Sequence, residues 1–242
     1  MELKICHMYP DILNLYGDRG NVTCMVKRLQ WRSIPVDVQS MPLGTGKSLN
    51  GFDLVFIGGG QDFEQQLLLD ELKRGKAKEI KAAVEDGVTF LTICGGFQLL
   101  GNYYKNSQGR CMDFVGAIDM YTQGDKERLI GNYKFQCCPE AGGSVVAGFE
   151  NHSGKTYLGN GVSPLGKVLK GFGNNGSDGT EGAHYKNVFG TYSHGPVLPK
   201  NPEFCDFILE TALRRKYGTA QLAPLDDRAE LSAHDEMCRK LD

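Results

Sequence analysis

The sequence predicts an α/β fold: a doubly wound, mostly parallel sheet with helices on both faces and a short antiparallel addition. Three observations carry this. The chain opens with a strand pattern, an amphipathic helix and a second strand pattern, the order of a parallel β-α-β unit. Two later apolar runs, 52–57 and 88–93, stop abruptly at glycine-rich turns. In a doubly wound sheet the carboxyl ends of the strands are where ligands bind.

Residues 3–8 read as the first strand. The polar loop Leu15-Tyr16-Gly17-Asp18-Arg19-Gly20-Asn21 follows. Val22, Met25, Val26 and Leu29 then fall on one helical stripe, and 34–38 reads as a short second strand. The segment from Met41 to Ser48 ends in Gly46-Lys47-Ser48 and imitates a phosphate-binding loop. That motif needs glycine where this chain has Met41, so the segment is expected to be a surface loop. Strand 52–57 runs into Gly58-Gly59-Gly60-Gln61-Asp62. Three glycines cost entropy, which is reasonable where backbone N–H groups must approach a ligand. A helix over 64–86, interrupted near Gly75 and closed by Gly87, leads to the strand 88–93.

From residue 111 to 172 the pattern becomes short β-like runs at 112–120, 131–137, 144–149 and 165–169, expected as an antiparallel addition to the sheet within the same domain. After a loop over 171–179, strand 188–192 runs into Ser193-His194-Gly195-Pro196. The helix after Pro202 places Phe204, Phe207, Ile208 and Ala212 on one face. A last helix over 226–241 is expected to turn Leu231, Cys238 and Leu241 inward. The division expected is one domain over 1–242, with a core at about 3–216 and a tail at 217–242.

Twenty-seven basic and 29 acidic residues leave a net charge of −2, with no basic run of the kind that binds nucleic acid. No apolar run approaches the roughly 20 residues of a membrane span. The chain enters a strand pattern with no charged leader, so a cytoplasmic protein is expected. The eight cysteines, at 6, 24, 94, 111, 137, 138, 205 and 238, include no CxxC pair. They are expected to be mostly reduced core residues, with no metal site.

The stretch Thr92-Ile93-Cys94-Gly95-Gly96-Phe97-Gln98 has the layout of a nucleophile elbow, in which a reactive side chain sits on a tight strand-to-helix turn. A cysteine nucleophile needs a base. Of five histidines, His194 stands best, at the end of a buried strand and before a Gly-Pro turn. His7 is expected in the core, His152 and His184 in loops, and His234 in the tail.

Together Gly58-Gly59-Gly60, Cys94-Gly95-Gly96-Phe97-Gln98-Leu99-Leu100-Gly101 and Thr191-Tyr192-Ser193-His194-Gly195-Pro196 resemble class I glutamine amidotransferase domains of the cobyric acid synthase-like branch. The loop from Leu15 to Asn21, the segment from Gly148 to Gly154 and the run Leu198-Pro199-Lys200-Asn201-Pro202 are similar to the glutaminase subunits of lipid II isoglutaminyl synthases. The resemblance implies a flavodoxin-like scaffold on which Cys94 attacks the side-chain amide of L-glutamine and His194 serves as general base and acid. It also implies an oxyanion hole of backbone N–H groups at Gly59 and Gly95. Arg128 would grip the substrate α-carboxylate, and Gln98 would help hold the substrate through its backbone. No cofactor is expected on this chain. ATP and magnesium would belong to a Mur ligase-like synthase subunit that forms a heterodimer with it and amidates D-glutamate of lipid II. Class I domains commonly place a glutamate two residues after the histidine. Here that residue is Pro196, so at most a Cys-His dyad remains in that pattern. The rival class is a stand-alone cysteine hydrolase or peptidase on the same scaffold.

Overall fold

The computed structural model describes residues 1–242. In chain order, β1 (Leu3–Met8) leads through a loop to α1 (Arg19–Gln30) and β2 (Val36–Met41). Next come β3 (Leu54–Ile57), α2 (Asp62–Glu71), α3 (Ala77–Glu85) and β4 (Thr89–Ile93), followed by the short α4 (Gly95–Leu99). Strands β5 (Tyr103–Lys105), β6 (Cys111–Asp113), β7 (Met120–Cys137), β8 (Val145–Leu158), β9 (Gly166–Lys170) and β10 (Thr180–Glu181) come after it. The chain finishes with β11 (Ala183–Tyr185), β12 (Val188–Thr191), α5 (Pro202–Tyr217) and α6 (Arg228–Lys240).

The first sheet has the order β11-β12-β4-β3-β1-β2. All its pairings are parallel except the edge pair β11–β12, the one short antiparallel addition to this sheet. Every residue of β3, β4 and β12 is buried. Such strands are covered on both faces, as parallel sheets require. The chain goes outward from β1 to β2 and then crosses back to β3, so the switch point lies between β1 and β3. The expected long helix after β3 is α2 and α3, joined by a wide turn at Leu72–Lys76 where Gly75 takes φ of 129°. Only glycine adopts that conformation without strain.

Two expectations change. The region from 111 to 172 does not extend the first sheet but builds a second six-stranded one, ordered β10-β9-β7-β5-β6 with β8 on the other side of β7. Its long hairpin β7–β8 has strands of 18 and 14 residues. Glycines within both strands break the run of β-formers, which is why the sequence reads as shorter pieces. β8 alternates buried and half-exposed positions, the pattern of a sheet with one packed face. The tail helix α6 also differs: it has no buried residue, and Leu231 is 38% exposed. The tail is held instead by Arg28, only 2% exposed, which donates to Asp206 at 2.6 and 2.7 Å and to Asp227 at 2.6 and 2.8 Å. Bidentate guanidinium–carboxylate geometry makes these the strong kind of ion pair.

A buried carboxyl group fixes the exit of β12. Glu181 accepts from the Thr191 hydroxyl at 2.7 Å, the Tyr192 N–H at 2.8 Å and the Tyr133 hydroxyl at 3.1 Å. Burial pushes its carboxyl up to about 7 from 4.5, although the Thr191 and Tyr192 bonds pull the other way. A folded-state value above the unfolded one favours the protonated folded protein, so stability from this group is lost as pH rises from 4.5 through about 7. Glu181→Gln should therefore flatten that fall. Denaturant melts between these pH values should show the wild type losing roughly 2–3 kcal/mol more than the variant. Parallel pH curves would refute a buried, proton-linked Glu181.

Candidate active site

Four parallel strands of the first sheet deliver their carboxyl-terminal segments to one place. The loop after β1 brings Asp18, the turn after β3 brings Gly58 to Gly60, the end of β4 brings Cys94, and the end of β12 brings His194. Cys94 has φ of 48° and ψ of −107°, a backbone that side-chain-bearing residues rarely adopt. Strain of this kind is held where surrounding structure over-determines it, and a nucleophile elbow is such a place. Here the determinant is visible. A Cβ on Gly95 would lie 2.4 Å from the Gly60 carbonyl oxygen, and one on Gly96 would lie 2.6 Å from that of Gly58. The glycines after Cys94 are required because elbow and triglycine loop touch backbone to backbone.

Beneath the elbow a buried polar chain holds α4 in place. Gln65 donates to the Gly95 carbonyl at 3.1 Å and to the Gln98 side-chain oxygen at 2.8 Å. Gln98 donates in turn to the Tyr192 hydroxyl at 3.0 Å, and Tyr192 pairs with Thr156 at 2.6 Å. The Gln98 side chain is thus committed to the scaffold.

His194 is fully buried and its backbone is bridged to β8: its N–H donates to the Phe149 carbonyl at 2.8 Å, and the Phe149 N–H returns a bond at 3.2 Å. The second sheet therefore fixes where the imidazole stands. Nδ1 lies 3.3 Å from Asp18 Oδ1, while Nε2 has no hydrogen-bond partner. Burial opposes a charge on this ring, yet the charge of Cys94 and the bond to Asp18 outweigh it and raise the imidazole from 6.5 to about 10. The shift leaves the ring charged at neutral pH, and a positive charge beside a cysteine is the setting in which thiol chemistry is activated. A Cβ on Gly59 would lie 2.7 Å from His194 Cε1, 3.0 Å from Asp18 Oδ2 and 3.5 Å from the Cys94 Cβ. Gly59 marks the point where the three side chains meet.

Gly59 departs from expectation in one respect. Its N–H, expected to face an oxyanion, donates to Asp18 Oδ2 at 2.7 Å. The neighbouring Gly60 N–H has no acceptor in the protein, and Gly60 lines the cleft with Cys94. Gly95 lies against this nitrogen: a Cβ there would be 2.8 Å from the Gly60 N.

The cleft has a volume of about 550 Å³, and Arg128, Gln98 and His152 share its lining with Cys94. Arg128 stands where the β7–β8 register breaks between Gly124 and Leu129, and its exposed side chain lines the cleft. Asn151 holds the guanidinium, accepting from Nε at 2.8 Å. Asp62 and Glu64 line the same cleft, which thus carries both signs of charge, as a zwitterionic amino acid requires. Two positions were not legible as site residues in the sequence. His152, expected in a loop, lies in β8 and stacks on Tyr192 with ring centroids 3.6 Å apart. Asp18 sits 176 residues from its histidine, a separation at which no sequence spacing signals a pair. No group of three or more His, Cys, Asp or Glu side chains is placed to hold a metal ion, and no helix is long and apolar enough to cross a membrane.

Gly59→Ala should displace the imidazole from the thiol. A misplacement of this kind costs about 10²-fold in turnover, with about 1–3 kcal/mol of stability lost to overpacking. Gly131→Ala, whose Cβ meets nothing within 4 Å, should change neither. Full turnover in Gly59→Ala would show that the three side chains do not meet there.

Comparison with known proteins places this architecture. Residues 4–202 match the model of the CobB/CobQ-like glutamine amidotransferase domain. The chain is 43% identical over 232 residues to the lipid II isoglutaminyl synthase (glutamine-hydrolyzing) subunit GatD of Staphylococcus aureus, covering 96% of this chain and 93% of the relative. It is 40% identical to the subunit of the same name from Streptococcus pneumoniae, covering 90% and 83%. Among solved structures, PurLQS from Thermotoga maritima matches with a TM-score of 0.58 at 18% identity, covering 88% of this chain and 99% of that one. A glutamine amidotransferase from the same organism matches with a TM-score of 0.54 at 15% identity, covering 100% and 94%. At these identities the structures speak for the fold alone. With the family match spanning the elbow, the triglycine loop and the histidine strand, the chain belongs to the CobB/CobQ-like glutamine amidotransferases.

Proposed function

We propose that this chain is the glutaminase subunit of a lipid II isoglutaminyl synthase. It hydrolyses L-glutamine to glutamate and ammonia, and the ammonia passes to an ATP-dependent partner that amidates D-glutamate of lipid II to D-isoglutamine. The observation that carries the reading is a single cleft lined by the strained Cys94 and by Arg128, with His194 buried behind the cysteine. Likeness to two curated subunits over nearly the whole chain supports the identity of the final acceptor.

The geometry supports these steps. Arg128 takes the substrate α-carboxylate, to which a guanidinium fork is matched. The Cys94 thiolate attacks the side-chain amide carbon, and its oxygen becomes an oxyanion. The Gly95 N–H and, in place of Gly59, the Gly60 N–H would stabilise that charge; such donors are typically worth about 10²–10³ in rate each. The His194 imidazolium then gives a proton to the departing nitrogen, the C–N bond breaks, and ammonia leaves a glutamyl thioester. Water attacks the thioester while His194 takes one of its protons. Glutamate departs and the thiolate returns. ATP and magnesium would be held by a Mur ligase-like partner, forming a heterodimer with this chain. A partner that uses ATP supports a cytoplasmic location for the pair.

Ammonia release from L-glutamine, with the partner present, tests the reading. Cys94→Ser should abolish it while Cys111→Ser leaves it intact. Arg128→Ala should raise KM far more than it lowers kcat, for a loss of about 10²-fold in kcat/KM. Undiminished release in Cys94→Ser would remove Cys94 as the nucleophile, and peptide hydrolysis with no glutaminase activity would favour the stand-alone hydrolase.

A further inference from the structure

The family pattern leaves the base without an orienting carboxylate, because Pro196 stands where a glutamate commonly does. The fold explains what fills that space. A Cβ on Gly20 would lie 2.4 Å from Pro196 Cγ, so the first turn of α1 packs directly on the proline. Asn21 in the same turn accepts the Leu198 N–H at 2.9 Å and ties it to the segment after His194. The residue just before α1, Asp18, is thereby carried against the imidazole.

We propose that Asp18 is the positioning residue for His194, completing a Cys94–His194–Asp18 triad whose acid comes from the loop after β1. Its two oxygens are both assigned. Oδ1 lies 3.3 Å from His194 Nδ1, and Oδ2 accepts the Gly59 N–H at 2.7 Å. Both Asp18 and His194 are fully buried. In that setting a carboxylate's orienting effect on an imidazolium is strong, because solvent does not screen it. With Nδ1 turned to Asp18, Nε2 is left for the thiol.

The Gly59 bond gives Asp18 a second consequence. The carboxylate that orients the base also fixes the loop that presents Gly60 to the oxyanion, so both are set by one side chain. The same loop reaches the substrate end of the cleft. Tyr16, held at φ of 53°, lays its ring edge on His194 with centroids 4.9 Å apart, and its hydroxyl bonds Asn151, which holds Arg128. Base, oxyanion loop and guanidinium therefore lean on four consecutive residues, Leu15-Tyr16-Gly17-Asp18.

The inference deepens the proposed glutaminase reading, so its test uses a readout that needs no substrate. Cys94 and Asp18 are the titratable groups that act on His194. Asp18→Asn keeps the side-chain shape but supplies one acceptor oxygen where two donors need one each. Alkylation of Cys94 by iodoacetamide should then shift to higher pH, with its rate at neutral pH falling about tenfold or more. Glutamine turnover should lose roughly 10²–10⁴ in kcat with little change in KM. An alkylation profile superimposable on wild type, with kcat unchanged, would overturn the proposal. A shifted profile in a protein that turns over no glutamine would leave the triad standing and sink only the substrate assignment. Nitrogen NMR of the wild-type histidines gives an answer without any variant. His194 should show a protonated Nδ1 at neutral pH, and a deprotonated Nδ1 would exclude Asp18 as its acceptor.

Discussion

The contact between the cysteine turn and the triglycine loop sets the geometry of everything around it. Gly95 and Gly96 lie so close to Gly60 and Gly58 that no side chain fits between the two backbones. On the other side, a Cβ on Gly58 would lie 2.2 Å from the Leu13 carbonyl. Three strand ends are thus pressed together at main-chain distance, and Cys94 is held in a conformation it would not adopt alone. A thiol on a strained backbone stays in place only while this packing persists. The glycines are therefore as much a part of the site as the cysteine.

A doubly wound sheet places strand ends on one rim but does not enclose them. The second sheet supplies the enclosure. Its β8 strand bridges His194, and Arg128, at the break in the β7–β8 ladder, lines the cleft. The proposed nucleophile and base belong to the first sheet, and the guanidinium with its Asn151 support belongs to the second. The proposed reactivity and substrate grip are thus built on separate sheets, joined at the His194–Phe149 bridge and by the Glu181 bonds to the end of β12.

Much of this was legible in residues because it is local. A β-branched run ending in cysteine and two glycines announces a turn, and Gly75 announces a break in a helix. The parallel order follows from alternating strands and helices. The long hairpin was less legible, since glycines inside β7 and β8 read as ends. The tail was misread because α6 has an amphipathic pattern, yet buried ion pairs from Arg28 hold its start. Contacts between distant segments left no signal at all. Gly59 looked like an oxyanion donor until the structure showed its N–H spent on Asp18, and that aspartate looked like an ordinary loop residue.

The central claim is that, among eight unpaired cysteines, Cys94 is the one a glutamine-shaped molecule reaches in reactive form. Peptide mapping by mass spectrometry, after brief treatment with a chloroketone analogue of glutamine, measures this directly. The label should fall on Cys94 alone and be prevented by excess L-glutamine. A label on the exposed Cys111, with Cys94 unmodified, would contradict the account.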